Sequence, residues 1–264
     1  MAEGAYGTVF GIGWVRERAA GIEWRHQGRT IGVDHIDVGC EEGRMPNRLG
    51  NPNNVIFDFC DVLLQWDPKG GTYDLFAGSP LFGGEGAAVW RDFYDEDAEY
   101  GFWHYDGLLD AGLDAAEAAA DYRAHHRGEP GEGAFDLYYE HRELAFRGMI
   151  PGMDTLLELL DRRGIAVWGL TNFTADAVEY AQAQYPAMRL LKDVVVSSTE
   201  RVKKPDRRIY EIAIDRFGVD PTRSVFIDDK PWNVDGAQEA GLRSFVFVNA
   251  MDARSQLGKA GIRL

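Results

Sequence analysis

Five short apolar runs, each with a polar residue at or near its end, constrain this chain more than any other feature. They are Asn54–Phe59, Ile165–Leu170, Val194–Val196, Ser224–Ile227 and Ser244–Val248. Runs of this length predict strands buried on both faces, as in a parallel sheet. Helix-periodic segments stand between them. Met153–Arg163 gathers Leu156, Leu157, Leu159 and Leu160 on one broad face and stops at Gly164, a good C-cap. Thr174–Gln184, Asp206–Phe217 (entered at Pro205, left at Gly218) and Asn233–Ala240 complete the set. Strand alternating with helix specifies an α/β fold, a Rossmann-like doubly wound parallel sheet with helices on both faces.

At 264 residues the chain is one large domain or a core carrying an inserted unit. Residues 70–148 break the alternation. Gly86–Tyr100, Leu113–His126 and Gly133–Phe146 are helix-favouring, aromatic and acidic, and no strong strand stands among them. A helical cap domain inserted at 70–148 is therefore expected, with 51–69 and 149–264 as the core. Residues 1–50 are rich in Gly, Arg and Glu and show no sustained period. Thr8-Val9-Phe10 and Ile31-Gly32-Val33 are strand-like, but no pairing is legible. The stretch reads as a flexible N-terminal extension. Met45 stands just before the first strong strand, so one expectation is that translation starts there. The glycine-rich piece Gly4–Gly11 lacks the lysine and catalytic loop that a kinase-type phosphate loop needs.

Charge narrows the partners. Twenty-eight basic against 43 acidic residues give a formal net charge of −15. Such a surface repels nucleic acid. No run reaches the roughly 18 apolar residues of a membrane span, and the N-terminus has no signal-peptide pattern. A cytoplasmic chain is expected, with no nucleic-acid or membrane partner. Its two cysteines, Cys40 and Cys60, form no disulfide framework.

Ligands of an open parallel sheet bind at the C-terminal edge of its strands. The first strand ends in Asp58, the second in Thr171-Asn172, and the fourth in Asp228-Asp229. The loop after the third carries Lys203-Lys204-Pro205-Asp206. A strand-end aspartate can attack phosphorus. Paired carboxylates and carbonyls suit Mg²⁺, a hard ion that takes oxygen ligands and neutralises phosphate. A hydroxyl and an ammonium can hold phosphoryl oxygens.

These motifs in this order resemble the haloacid dehalogenase-like hydrolase superfamily over about residues 53–250, and among its members the sugar-1-phosphate phosphatases. The resemblance rests on Val55–Leu64 around Asp58, on Gly169-Leu170-Thr171-Asn172, on Lys204-Pro205-Asp206, and on Phe226-Ile227-Asp228-Asp229 with Asn233. It implies a sheet ordered five-four-one-two-three, with a cap in the 113-residue gap between Asp58 and Thr171. It also implies Asp58 as catalytic nucleophile, Lys204 as the motif lysine (Lys203 the alternative), and Thr171 and Asn172 as phosphoryl binders. Asp58, Asp228 and Asp229 would bind Mg²⁺ together with the main-chain carbonyl of Cys60. The substrate would be a small phosphorylated metabolite such as a sugar phosphate.

One departure matters. Phosphatases of this superfamily place a second Asp two residues after the nucleophile, to protonate the leaving group and activate water. Here that position is Cys60. A thiol with an ordinary pKa of about 8.5 is a poor substitute, and general acid–base help is typically about 10²–10⁴-fold. Three readings follow: a phosphatase for good leaving groups, a catalytically weak binding or regulatory protein, and a metal-free dehalogenase, against which the Asp228-Asp229 pair argues. Asp61 or a cap residue could assist, although Asp61 reads better as a turn former. Asn233 could cap the helix after strand four or orient the metal carboxylates. Trp90, Phe93, Tyr94, Phe102, Trp103 and Tyr105 read as cap core. The run Asp92–Glu99 reads as a solvated helix face. Trp66 and Asp67 stand at the cap entrance. His104, His125, His126 and His141 have no zinc-ligand spacing.

Overall fold

A computed structural model describes residues 52–264, together with the main chain of four strands nearer the N-terminus. Those strands, β1 (Tyr6–Val9), β2 (Ile12–Arg18), β3 (Ile22–His26) and β4 (Arg29–Gly32), form an antiparallel sheet in chain order. Thr8 pairs with Gly13 and Ile31 with Trp24, so the strand-like pieces do find partners. The short alternation Ile22-Glu23-Trp24-Arg25 fits a strand, a period that the surrounding Gly and Arg obscure. Met45, Cys40 and the expected mobility of the extension lie outside the described residues.

The main sheet holds β5 (Asn54–Phe57), β8 (Ala166–Thr171), β9 (Val194–Val196), β10 (Ser224–Asp228) and β11 (Arg243–Val246). All pairs are parallel and the order is β11-β10-β5-β8-β9, the expected five-four-one-two-three. Successive side chains of a strand point to opposite faces. Val55, Phe57, Val225 and Ile227 therefore join one apolar cluster with Leu156, Leu157 and Leu160 of helix Met153–Arg162. Ile56 and Phe226 join another with Ile209, Tyr210 and Phe217 of helix Arg207–Phe217. Burial on both faces is why the strands read as unbroken apolar runs. A C-terminal helix, Ala250–Lys259, had no clear signal in the sequence.

Gly169 in β8 shows how tightly this sheet is packed. A Cβ there would lie 2.5 Å from Phe59 Cε1 and 3.0 Å from Val194 Cγ1. Gly169→Ala is expected to lower stability by about 1–3 kcal/mol, the usual cost of overpacking, measured as a lower urea midpoint at unchanged m-value. An unchanged midpoint would show that Phe59 moves aside freely.

Within residues 70–148 the chain makes four main helices: Gly86–Phe93, Phe102–Asp110, Ala115–His125 and Ala134–Glu140. They bury an apolar cluster of their own, in which Phe93, Tyr94, Phe102 and Tyr105 are buried and Trp90 and Trp103 half-buried. The acidic run departs from expectation. The helix ends at Phe93, and the exposed acids beyond it occupy a turn in which the Asp97 N–H donates to Asp95 Oδ1 at 2.9 Å. Aspartate side chains compete for main-chain donors in this way, which favours turns over helix interiors.

A two-stranded ribbon missed in the sequence, β6 (Leu64–Trp66) with β7 (Phe146–Met149), joins this helical layer to the sheet. Asp67 accepts from the Gly70 N–H at 2.7 Å and caps the short helix that follows. The four histidines serve locally: His125 stacks on Tyr100, His126 contacts Glu129 and the Tyr100 carbonyl, His141 lies near Glu143, and His104 packs against Tyr105. Among the described residues no helix is long and apolar enough to cross a membrane.

Candidate active site

Register brings the strand-end groups together. Phe57 pairs with Ile227 on one side and Gly169 on the other, and the Asp58 N–H donates to the Ile227 carbonyl at 2.9 Å. Asp58 thus lies beside Asp228, with Thr171 at the end of the next strand. All three are buried, at 7%, 0% and 1% exposure.

Lys204 fills the space between them. Its Nζ lies 2.7 Å from Asp58 Oδ1 and 2.7 Å from Asp228 Oδ2, and donates to the Leu170 carbonyl at 3.0 Å. Three donors meet three acceptors, so the buried ammonium is fully paired. Burial alone would lower its pKa, but the Asp228 and Asp58 charges outweigh burial and hold it above the ordinary value. Lys203, the alternative, is exposed and donates to the Gly107 carbonyl at 2.9 Å. Lys204 is therefore the lysine paired with Asp58 and Asp228, and Lys203 ties the loop to helix Phe102–Asp110.

Asn172 holds the lysine loop in place. Its Nδ2 donates to the Lys204 carbonyl at 3.0 Å, and its Oδ1 accepts the Lys204 N–H at 2.8 Å. Asn233 does the same for Asp228. Its Nδ2 reaches both carboxylate oxygens, at 3.0 and 3.1 Å, from inside helix Pro231–Glu239 rather than from its cap. The Lys230 N–H also donates to Asp228 Oδ1 at 2.9 Å, and Lys230 Nζ pairs with Asp229 at 2.6 Å.

The remaining polarity is unspent. Asp58 Oδ1 accepts the Phe59 N–H at 2.7 Å, whereas Oδ2 has no hydrogen bond among the described residues. Burial pushes the Asp58 carboxyl well above its ordinary value, against the pull of Lys204 and with the help of Asp228 and Asp229. Asp229 is raised too, by burial first. Carboxylate oxygens of Asp58, Asp228 and Asp229 lie within 4.8 Å of one another. The Thr171 hydroxyl is buried and has no partner among the described residues. Buried polar atoms are nearly always paired, so this orphan marks a place for a ligand oxygen.

Cys60 is half-buried, and burial, reinforced by Asp58, Asp61, Asp110 and Asp106, pushes its thiol well above the ordinary value. It stays protonated and holds that proton too tightly to be a useful acid. Asp61 is exposed at φ 61°, a left-handed position that aspartate tolerates, which bears out the turn reading. Sequence reasoning missed a set of polar groups in the helical layer. Asp106, Asp110, Tyr138 and Arg142 line a cleft with Trp66 and Phe173. The i, i+4 spacing of Asp106 and Asp110 was the available signal.

This chain is similar to known proteins in sequence and in fold. A family model described as haloacid dehalogenase-like hydrolase matches residues 52–241. A phosphatase of Mycobacterium tuberculosis is 34% identical over 119 residues, which is 45% of this chain and 55% of that protein. An (S)-2-haloacid dehalogenase of Burkholderia cepacia is 30% identical over 94 residues, 36% of this chain and 41% of that protein. The chain thus spans about half the length of the curated relatives it matches. Two solved structures share the fold. One is an HAD-like family hydrolase from Porphyromonas gingivalis, with TM-score 0.60 and 19% identity, covering 80% of this chain and 99% of that one. The other is an HAD family enzyme from Bacteroides thetaiotaomicron in complex with magnesium and inorganic phosphate, with TM-score 0.55 and 17% identity, covering 76% and 95%. By the span of the family match and by its fold, this chain belongs to the haloacid dehalogenase-like hydrolases.

Proposed function

We propose that the chain is a phosphoric monoester hydrolase that works through an aspartyl-phosphate on Asp58, under a cap formed by residues 70–148. The observation that carries this reading is the buried, unpartnered Thr171 hydroxyl beside three clustered carboxylates and one lysine. That set suits an anionic tetrahedral group held together with a hard cation.

The residues fit Mg²⁺. Asp58, Asp228 and Asp229, with the Cys60 main-chain carbonyl, would supply an all-oxygen donor set. The ion, when bound, neutralises phosphoryl charge and so lets an anionic nucleophile approach an anionic substrate. The chain does the rest. Lys204 fixes one Asp58 oxygen, leaving the other for attack on phosphorus. The Thr171 hydroxyl donates to a phosphoryl oxygen. The Asn172 side chain is committed to Lys204, so its share of phosphoryl binding falls to its main-chain N–H. Asn233 keeps Asp228 oriented. The substrate class is a small phosphorylated metabolite, with a sugar phosphate the leading candidate.

Initial rates on 4-nitrophenyl phosphate test the reading. Turnover with Mg²⁺ is expected to fall at least about 100-fold in EDTA, as befits several kcal/mol of charge stabilisation, and to return when Mg²⁺ is restored. Absence of turnover would favour a binding or regulatory protein of this fold. Metal-independent halide release from 2-chloropropionate would assign a dehalogenase instead.

A further inference from the structure

We propose that Asp110, the last residue of helix Phe102–Asp110, donates the proton to the leaving-group oxygen in place of the acid that Cys60 replaces. This rests on the phosphatase reading above. Asp106, one turn earlier on the same face, is its positioning neighbour.

Three observations bring Asp110 toward the catalytic edge. It lines the cleft between the helical layer and the core. It stands within electrostatic reach of the Cys60 sulfur on one side and of Lys204 on the other. Its helix is clamped to the catalytic edge: Ser197 Oγ donates to the Asp110 carbonyl at 2.6 Å, and Lys203 Nζ to the Gly107 carbonyl at 2.9 Å. Neither the Asp110 nor the Asp106 carboxyl has a hydrogen bond or ion pair among the described residues, although both are half-buried. A ligand in this cleft would serve both.

Protonation favours the role. Burial pushes the Asp110 carboxyl up to about 7, against the opposing pull of Lys203 and Lys204. Its position at a helix C-terminus, where the dipole is negative, acts in the same direction. Asp106 is raised by burial and by the Asp110 charge. The other titratable groups facing the pair are Cys60 from the core, and Tyr138, Tyr139 and Arg142 from the helical layer, with Arg142 already paired to Asp176. An acid poised near neutrality is the best proton donor at that pH.

The step balances. A bond forms from Asp58 Oδ2 to phosphorus as the bond from phosphorus to the leaving oxygen breaks. That oxygen keeps the electron pair and takes the Asp110 proton. Asp110, now a carboxylate, accepts a proton from water as the water oxygen bonds to phosphorus and the aspartyl–phosphorus bond breaks. Phosphate leaves, Asp58 is again a carboxylate and Asp110 again an acid.

Phenyl phosphate and 4-nitrophenyl phosphate, similar in shape, separate acid catalysis from binding. Phenolate, with a conjugate-acid pKa of about 10, needs a proton far more than nitrophenolate does. Asp110→Asn is expected to lower kcat/KM on phenyl phosphate about 100-fold and on 4-nitrophenyl phosphate less than about fivefold. The wild-type phenyl phosphate rate should fall as pH rises through about 7, and that limb should vanish in the variant. Cys60→Asp placed in the Asp110→Asn background should return at least about tenfold of the lost rate. Equal losses on both substrates, no loss on either, or no rescue would overturn the assignment. Wild-type turnover of 4-nitrophenyl phosphate that Asp58→Asn removes would leave the phosphatase reading standing even then. Without such turnover both readings fall.

Discussion

Asp58→Asn is expected to abolish hydrolysis of 4-nitrophenyl phosphate while leaving the protein folded and, in metal-free buffer at neutral pH, more stable. Removing the nucleophile of a covalent mechanism costs about 10⁴-fold or more, which is at least about 5 kcal/mol of transition-state stabilisation. The amide keeps the size and can still accept from Phe59 and Lys204, so the fold should tolerate it. The stability sign follows from linkage. Asp58 is raised above its ordinary 3.8 by burial and by the Asp228 and Asp229 charges, with Lys204 opposing. Between 3.8 and its raised value the folded state binds more protons than the unfolded state. Its contribution to stability is therefore full below that window and is lost as pH rises through it. At neutral pH, above the unfolded value, burying this carboxyl costs stability, and the neutral amide removes that cost. The gain over wild type should shrink toward zero below about pH 4. A variant less stable than wild type at pH 7 would show that the Lys204 pairing outweighs burial and repulsion. Residual activity within tenfold of wild type would remove Asp58 from the mechanism.

That stability–activity conflict is visible in the sequence only in part. The order of strands and the groups at their ends were legible because β5 and β10 are buried throughout. Burial on both faces strips polar residues from the strands and leaves Asp58, Thr171 and Asp228 conspicuous at the edge. The choice of Lys204 over Lys203 rested on motif position; of the two, Lys204 is the one paired with Asp58 and Asp228. What stayed hidden depends on contacts across long stretches of chain. Asn172 could pass for a ligand-binding residue because nothing local reveals that its amide is held by the Lys204 main chain. The ribbon of β6 and β7 is too short for a periodic signal. The placement of Asp106 and Asp110 depends on which helix face meets the core, and the aromatic residues that fill helix Phe102–Asp110 mask its amphipathicity. The Ser197 and Lys203 bonds that fix this face join segments 87 and 96 residues apart.

Lys204→Met should be the most damaging single change to the fold of the site. Methionine matches the length of the lysine stem but removes the charge shared by Asp58 and Asp228 and the donor to the Leu170 carbonyl. Two buried carboxylates then face each other unneutralised. Removing one partner of a buried ion pair typically costs about 3–5 kcal/mol, a large part of a total stability of about 5–15 kcal/mol. Activity should fall at least about 100-fold, the usual cost of losing a preorganised charge-stabilising donor. Arginine is not a remedy: its planar fork does not fit a cage built for one ammonium with three acceptors. The stability loss should be non-additive. In the Asp58→Asn background only Asp228 is left without its counter-charge, so Lys204→Met should cost at least about 1 kcal/mol less there than in wild type, within the usual range for coupled neighbours. Urea melts of the four proteins in EDTA measure that difference directly. Equal costs in both backgrounds would mean that the Asp58–Lys204 pair contributes no net coupling, and that the lysine is held in place by Asp228 and the Leu170 carbonyl alone.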